Sequence, residues 1–423
     1  MGRRNVRVIV HVVVLSAWVA LALASGCRPA PSAEVSVQVA LKTPDGVKVR
    51  CMDHARQGTV AAGRLDAAAK AKQDHYTLGF LRGTLLVVDF SDRQGDFKGR
   101  PLALIDPGDP SPWAFSRDGP AVLLNGRRIA LDLTGEGAAA WLARQPEAAL
   151  RTVRSILIEG DRPDDLAALW RFAGSGVLVQ LDHFQTHARW RPFVEALAAV
   201  RPRGLVLREI PKYLGEPVDL THVLPRLTEL THLVMQGPAI PDLRAVPKLR
   251  LLDFGFKGVA APSLAPLAWA SQLRFLSVSM CDNVSDLAPV GTLRGLESLT
   301  VFNCEKLTDL AAWSDLTRLR TLILFGCPEL KDLSGLRRFA DLTTLGMTPT
   351  PSPEQFRHVA ALKKLKVLVV SKEDKDKGHP ALGEFGKARP DVEIVGFCLG
   401  SAWMLAVAGL GIGAGLIRRR ARR

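Results

Sequence analysis

The chain has 423 residues, of which 47% are hydrophobic and 23% are charged, and this composition predicts folded domains with a large core rather than a disordered chain. Its formal net charge is +14, but three arginines before residue 8 and five after residue 417 carry eight of those charges. Because the excess sits at the two ends, the composition argues against a nucleic-acid partner.

The first 26 residues have the layout of a secretory signal peptide. A basic start precedes an apolar stretch from Val8 to Ala24, followed by the small residues Ser25 and Gly26. Cys27, directly after LALASG, resembles the lipidated cysteine of bacterial lipoproteins, although Ala24 stands where that motif usually has leucine. The resemblance implies lipidation of Cys27 and attachment to a membrane; a plain cleavage site and an uncleaved signal anchor remain alternatives. Residues 27–34 are predicted to form a short tether.

Residues 35–134 are predicted to form a small β-rich domain that resembles no family. The segment VSVQVALKTPDGVKVRC predicts a hairpin with a turn at residues 44–46, and TLLVVDF and AVLLNGRRIALDL predict further strands around a turn at Asn125 and Gly126. The next segment, GEGAAAWLARQPEAALRTV, predicts an amphipathic helix that could cover the open edge of the following domain.

An internal repeat dominates the second half of the chain. Segments of the form L-x-x-L-x-apolar open at seven positions, and the last four intervals are 23 residues each: Leu230, Leu249, Leu273, Leu296, Leu319, Leu342 and Leu365. The pattern resembles the leucine-rich repeat family in its short, internalin-like form. This resemblance implies an α/β solenoid over residues 135–394, regular over 230–372, in which each repeat adds one strand to a parallel concave sheet. Less regular copies occur near Ile156, Val179 and Leu205.

Cysteine recurs at one position of the repeat, in Cys281, Cys304 and Cys327. The family resemblance implies that this position turns inward, so that the three thiols form a buried structural ladder. A disulfide remains an alternative, because an exported protein folds in an oxidising compartment and adjacent strands are about 4.8 Å apart. Three stacked sulfurs do not converge as the ligands of a metal do, and no metal site or cofactor is predicted.

Two other recurring polar residues have structural interpretations. Asp286, Asp309 and Asp332 also repeat every 23 residues, each before a leucine, where an aspartate caps a turn or short helix. His183 and His187 have helical spacing but lack the glutamate and third ligand of a zinc protease motif. No catalytic residue is predicted.

The side chains that alternate with the leucines should point out of the concave sheet. They predict an exposed apolar cluster with polar neighbours, which is the candidate protein-binding patch: Phe275, Phe302, Ile323, Phe325, Asp253 and Thr300. The alternative is that the N-terminal domain or the flanking helix folds over this patch.

The C-terminus predicts a second membrane attachment. Residues 395–417 contain no charged side chain and are long enough to cross a bilayer as one transmembrane helix, and the arginines of residues 418–423 are predicted to form a cytoplasmic tail. Cys398, the apolar stretch and the arginines also resemble a C-terminal sorting signal of Gram-negative bacteria, in which the span would be cleaved. Both ends therefore predict an extracytoplasmic location in a bacterial cell envelope.

These features together predict a membrane-anchored leucine-rich-repeat protein that catalyses nothing. Its concave face should bind another protein or an envelope polymer. A structural spacer without a specific partner and an enzyme with its site in the N-terminal β-rich domain are the alternatives.

Overall fold

The structure, a computed structural model, describes strand segments between residues 48 and 105 and most of residues 115–397. Gaps within the second range fall at residues 161, 184–189, 210–219, 238, 257–262, 280–283 and 285. The predicted signal peptide at 1–26, the tether at 27–34 with Cys27, the predicted turn at 44–46, residues 398–417 of the predicted span and the tail at 418–423 lie outside the described residues.

Two small antiparallel sheets come first in the chain. Strands β1 (Lys48–Asp53) and β2 (Arg56–Ala61) pair with each other. Strand β4 (Leu85–Ser91) pairs with β3 (His75–Leu81) on one side and β5 (Ala103–Ile105) on the other. These strands fall within the range predicted to be β-rich.

A hairpin begins the large sheet. Strands β6 (Phe115–Asp118), β7 (Ala121–Leu124) and β8 (Arg127–Asp132) run antiparallel, and β8 then pairs in parallel with β9 (Ser155–Ile158). The turn between β7 and β8 has positive φ at both central residues, which is the geometry that an Asn-Gly pair favours in a hairpin. The predicted domain boundary at residue 134 is therefore wrong, because β8 supplies the hydrogen bonds that the edge of β9 requires.

Two short helices follow this hairpin instead of the single predicted helix. Helix α1 spans Ala138–Ala143 and helix α2 spans Glu147–Leu150. Pro146, which has no backbone N–H to continue α1, occupies the N-cap of α2. Leu142 and Leu150 are buried in the main core, so both helices pack against the first turn of the solenoid.

The remaining strands all run parallel, in the order of the sequence. They are β10 (Leu178–His183), β11 (Gly204–Glu209), β12 (His232–Gly237), β13 (Leu251–Phe256), β14 (Phe275–Ser279), β15 (Ser298–Phe302), β16 (Thr321–Phe325), β17 (Thr344–Thr348), β18 (Val367–Ser371) and β19 (Glu393–Phe397). With β6–β9 they form a single sheet of 14 described strands. The predicted solenoid with a long parallel sheet is confirmed.

The connections between the parallel strands contain either helices or single 3₁₀ turns. The helices are α3 (Pro163–Arg171), α4 (Trp190–Val200), α5 (Ala288–Gly291), α6 (Pro353–Ala360), α7 (Lys372–Asp376) and α8 (Pro380–Ala388). Most connections between β11 and β17 instead contain a single 3₁₀ turn, at residues 224–226, 243–245, 265–269, 311–313 and 334–338. Short turns suit these repeats because each needs only enough chain to return to the start of the next strand.

The leucines of successive repeats lie side by side. Leu276, Leu299, Leu322, Leu345 and Leu368 occupy equivalent positions in β14–β18, and each is at most 1% exposed. They belong to a continuous hydrophobic core that runs from the first hairpin to Val392. Leucines that are 23 residues apart in the sequence therefore lie next to each other in a row along the solenoid.

Aspartates begin several of the segments that connect one strand to the next, which we call the return segments. The Oδ1 atoms of Asp242, Asp286, Asp309 and Asp332 each accept a hydrogen bond from the backbone N–H two residues later, at 3.0, 2.9, 2.8 and 2.8 Å. Such a bond satisfies a donor that the first turn of a helix leaves free. The recurring carboxylates are thus turn caps.

The last described strand overlaps the predicted transmembrane helix. Residues 395–397 belong to β19, which pairs in parallel with β18. The predicted start of the span at residue 395 is wrong, because these residues supply hydrogen bonds to the edge of β18. Within the described part of the chain, no helix has the length and apolar character needed to cross a membrane.

Replacing Gly326 by alanine should destabilise the solenoid. Gly326 has φ +69°, and a Cβ there would collide with Asn303, which holds the equivalent left-handed position (φ +52°) in the preceding repeat. We expect Gly326→Ala to lower the free energy of unfolding by about 1–3 kcal/mol, measured by urea denaturation.

The matched control is Gly383→Ala in α8, where a Cβ would meet nothing within 4 Å. That change should raise the free energy of unfolding by about 0.5–1 kcal/mol. Equal effects of the two substitutions would contradict the left-handed assignment at Gly326.

Candidate functional site

The concave face is formed by every second side chain of the parallel strands, on the side opposite the core. Its central row runs through Val234 of β12, Asp253, Ser277, Thr300 and Ile323, and these residues pair in register from strand to strand. Phe275 precedes this row and Phe302 and Phe325 follow it, so the strands bring all six predicted patch residues onto one face.

The predicted exposure of the patch is wrong. Phe275, Phe302, Ile323 and Phe325 are only 2%, 4%, 0% and 1% exposed, and Thr300 is 1% exposed. Their burial arises in part from lateral packing, because parallel strands hold equivalent side chains about 4.8 Å apart.

Two contacts show this lateral packing. The rings of Phe302 and Phe325 meet edge to face with centroids 5.6 Å apart. A Cβ on Gly346 would meet both Ile323 and Phe325, so the missing side chain leaves room for these two residues. The role of the apolar residues in binding stays a prediction.

A polar part of the concave face remains partly open to solvent. His232 and Gln236 of β12, Asp253 of β13 and Ser279 of β14 are partly exposed, whereas the neighbouring concave residues Val234 and Leu251 are buried. Sequence reasoning included Asp253 but missed His232 and Gln236. The repeat that opens at Leu230 could have identified them, because it fixes which residues of HLVMQG point to the concave face.

The carboxyl group of Asp253 has an unusual environment. Surrounding protein desolvates it and raises its pKa to about 7, although the side chain keeps some contact with solvent. The nearby Ser277 hydroxyl lowers the pKa, but by less than burial raises it. Among the described residues, no lysine or arginine contributes to the shift. Within the described part of the chain, Asp253 is therefore a desolvated carboxyl group on whose pKa no cation acts.

Two hydroxyls on the strands that follow Asp253 are buried without completed hydrogen bonds. Ser277 and Thr300 are each 1% exposed, and neither Ser277 Oγ nor Thr300 Oγ1 has a hydrogen-bond partner of good geometry. Ser277 is close enough to influence the Asp253 carboxyl without completing such a bond. Buried polar groups normally find partners, so these hydroxyls mark a position where a bound group could supply them.

The cysteine positions lie on the core side. Cys304 and Cys327 are 0% and 3% exposed, and both carry free thiols. Burial, together with the neighbouring Cys304, raises the pKa of the Cys327 thiol to about 12. A thiol in this state is a poor nucleophile. Cys281 lies outside the described residues, and Thr350, one repeat after Cys327, is partly exposed and donates a hydrogen bond to Asp374.

The described residues offer no metal centre. No group of three histidine, cysteine, aspartate or glutamate side chains within them could hold an ion. His183 ends strand β10, and His187 falls in the gap at 184–189.

Comparison with solved structures finds partial similarity to other repeat proteins. An internalin from Listeria monocytogenes is 16% identical, with 53% of this chain and 70% of that chain covered and a TM-score of 0.34. A leucine-rich-repeat protein from Leptospira interrogans is 13% identical, with 59% and 68% covered and a TM-score of 0.30. A chain of the Toll–Spätzle complex of Drosophila is 10% identical, with 70% and 34% covered and a TM-score of 0.28.

No protein-family profile and no curated protein matches the sequence. The assignment to a leucine-rich-repeat type of solenoid therefore rests on the 23-residue period and the register of the strands in this chain.

The raised pKa of Asp253 predicts a pH-dependent stability. Because the folded-state pKa of about 7 lies above the ordinary aspartate pKa of 3.8, the folded protein holds this proton more tightly than the unfolded chain does. The resulting stabilisation is full below the unfolded pKa and is lost as the pH rises through about 7. We expect Asp253→Asn to unfold at a higher urea concentration than the wild type at about pH 8, with a smaller difference at about pH 5.

Asp309→Asn, at an exposed turn cap, controls for the amide substitution itself. If the urea midpoints of the wild type and of Asp253→Asn change with pH by the same amount, Asp253 is not desolvated in the folded protein.

Proposed function

We propose that this protein is an extracytoplasmic binding scaffold that recognises another protein through its concave face. Solenoids of this kind are usually binding scaffolds, but a fold alone does not define a partner. The observation that carries the proposal is the partly open strip at His232, Gln236, Asp253 and Ser279, beside two buried hydroxyls without partners.

The dimensions of the face suit a protein partner. Eleven neighbouring described strands, β9–β19, run parallel, and at about 4.8 Å between strands they extend over roughly 48 Å. A small-molecule site is usually a closed pocket, whereas protein partners bind extended surfaces with a buried centre and a polar rim.

The return segments offer less to a partner. Their aspartates are occupied as caps, and many exposed charges are paired with each other, as in Lys248 with Glu229, Arg294 with Asp315 and Lys364 with Asp341. Exposed pairs of this kind keep a surface soluble and contribute little to stability. The binding role is therefore assigned to the concave side.

We further propose that the protein is held at a bacterial membrane by one or both ends. The support comes from the sequence alone: the apolar stretch and Cys27 at the N-terminus, and the uncharged residues 398–417 followed by arginines at the C-terminus. A lipidated Cys27 would make a second anchor, and one lipid chain alone binds a membrane only weakly.

Site-directed photo-crosslinking tests the concave-face function. With p-benzoylphenylalanine in place of Gln236, illumination of envelope preparations should yield discrete crosslinked adducts, because this side chain is partly exposed on the proposed binding face. The matched control places the same residue at Trp170 of α3, which is 55% exposed on the return side. Adducts that are the same from both positions, or absent from both, would contradict the proposal and favour the structural spacer.

Mass analysis of the mature N-terminus tests the anchor. We expect the N-terminal peptide from membrane fractions to begin at Cys27 and to carry acyl chains. In Cys27→Ser this modification should be lost. A mature peptide that begins elsewhere, or an unmodified Cys27 in the membrane-bound protein, would contradict lipidation; analysis of the C-terminal peptide shows whether residues 398–417 are retained.

A further inference from the structure

A row of polar residues borders the concave face where the strands of the repeats begin. Each member stands directly before its strand, from β11 to β18, and we call these eight residues the edge row. From the second member on, each backbone N–H donates a hydrogen bond of 2.8–2.9 Å to the backbone carbonyl of the member before it. Thr231, Glu297 and Thr343 are three of the members. The other five are cationic: Arg203, Arg250, Arg274, Arg320 and Lys366.

The edge row has a fixed spacing. Because its members stack in register, neighbours are about 4.8 Å apart and the row extends over roughly 34 Å. The Thr231 and Thr343 hydroxyls also donate hydrogen bonds to the carbonyls of Arg203 and Arg320, at 2.8 and 3.1 Å. The backbone of the row is therefore already ordered, so a ligand would not lose binding energy in ordering it.

Most cations of the edge row have no anionic partner. Arg203, Arg250 and Lys366 are exposed, and Arg320 is half-buried. None of these four forms an ion pair with another described residue. Arg274 lies 3.8 Å from the carboxylate of Glu297, the acidic member of the row. The row therefore keeps a surplus of positive charge in contact with solvent.

Carboxylates beside the edge row respond to this charge. The hydrogen bond from Lys248 is the main cause of the lowered pKa of Glu229, and the charge of Arg203 lowers that pKa further. Lys248 with Glu229 and Lys364 with Asp341 form ion pairs next to the row. Cations beside the row are thus partly neutralised, whereas most of those within it are not.

The opposite edge of the sheet, where the strands end, has a different charge. Carboxylates outnumber lysines after β15 and β16, with Glu305, Asp309, Glu329 and Asp332 against Lys306 and Lys331. All six of these residues are exposed. An anionic ligand would therefore be attracted to the edge row rather than to the opposite edge.

The shape of the edge row narrows the class of anionic partner. Protein partners usually bury an apolar centre, and no member of the row is apolar. Single-stranded nucleic acids usually stack on aromatic side chains, which the row also lacks. A lipid bilayer presents its charge in two dimensions, whereas the row is one residue wide. A polysaccharide with a carboxylate on every unit presents charge along a line, and one pyranose unit is about as long as one strand spacing.

We propose that the edge row binds a linear acidic polysaccharide. Carboxylates along the polymer pair with the exposed cations, and arginine suits this role because its guanidinium matches a carboxylate with two parallel hydrogen bonds. The polymer follows the row across the repeats and does not enter the concave face. The inference therefore goes beyond the proposed protein-binding function and does not depend on it.

Binding of a dye-labelled oligogalacturonate to the full-length protein in neutral detergent tests the inference. The probe is long enough to span the row, and the measured quantity is its Kd from fluorescence anisotropy. We expect it to bind at least about a hundredfold more tightly than galacturonate monomer, measured by competition, because many weak contacts act together. The methyl-esterified form, which has lost its charge, should bind at least about tenfold more weakly. Raising the NaCl concentration from about 50 mM to about 300 mM should also weaken binding of the charged form about tenfold.

Substitutions at matched positions separate the edge row from the net charge of the chain. Arg250→Gln and Lys366→Gln should each raise the Kd about two- to fivefold, as the loss of one exposed ion pair predicts. Lys306→Gln, at the opposite edge, lowers the net charge by the same amount and should leave the Kd unchanged. A triple variant that adds Arg320→Gln to the two row substitutions should raise the Kd at least about tenfold. Urea denaturation of each variant shows whether the fold is intact.

Several outcomes overturn the inference. These are equal affinity for the charged and esterified polymers, equal affinity for polymer and monomer, or a loss of binding in Lys306→Gln as large as in Lys366→Gln. Absence of oligogalacturonate binding at about millimolar concentration also overturns it. If mixed micelles with phosphatidylglycerol bind more tightly than the polymer, and the triple variant loses this binding, the partner is a lipid surface and the inference fails. Crosslinks from position 236 report on the concave face separately, because Gln236 does not belong to the row.

Discussion

The structure depends on the lateral contact between leucines of successive repeats. Leu276, Leu299, Leu322, Leu345 and Leu368 each bury their side chains against the equivalent residue of the neighbouring repeat. A single repeat of 23 residues has too little apolar surface to form a core, so each one is stable only between its neighbours. This constraint fixes the register of the parallel sheet, and the positions of all other side chains follow from it.

The same register determines what the concave face contains. Asp253, Ser277 and Thr300 are about one repeat apart in the sequence, but the leucine contacts place them side by side on β13, β14 and β15. Neighbouring strands also press the concave phenylalanines together, as the edge-to-face contact between Phe302 and Phe325 shows. The face therefore combines a laterally packed apolar part with a polar part that remains partly open.

The ends of a parallel solenoid need separate solutions, because an edge strand exposes unpaired backbone groups. At the first end, the antiparallel hairpin β7–β8 pairs with β9, and the short helices α1 and α2 cover the core. At the last end, β19 extends the sheet beyond β18. Sequence patterns suggested a separate domain up to residue 134 and a membrane span from residue 395, because they show the apolar character of a segment and not the strand with which it pairs.

The sequence by itself determined the repeating architecture, since a 23-residue leucine period and recurring Asp-Leu pairs have one common structural solution with capped turns and inward cysteines. It also determined which residues share the concave face, because strands alternate between two faces. Only the tertiary structure decided which of those residues meet solvent: Phe325 and Ile323 are buried, whereas Asp253 and Gln236 remain partly open. Alternation specifies the direction of a side chain, but its exposure and the pKa of a carboxyl group depend on every neighbour that packs around it.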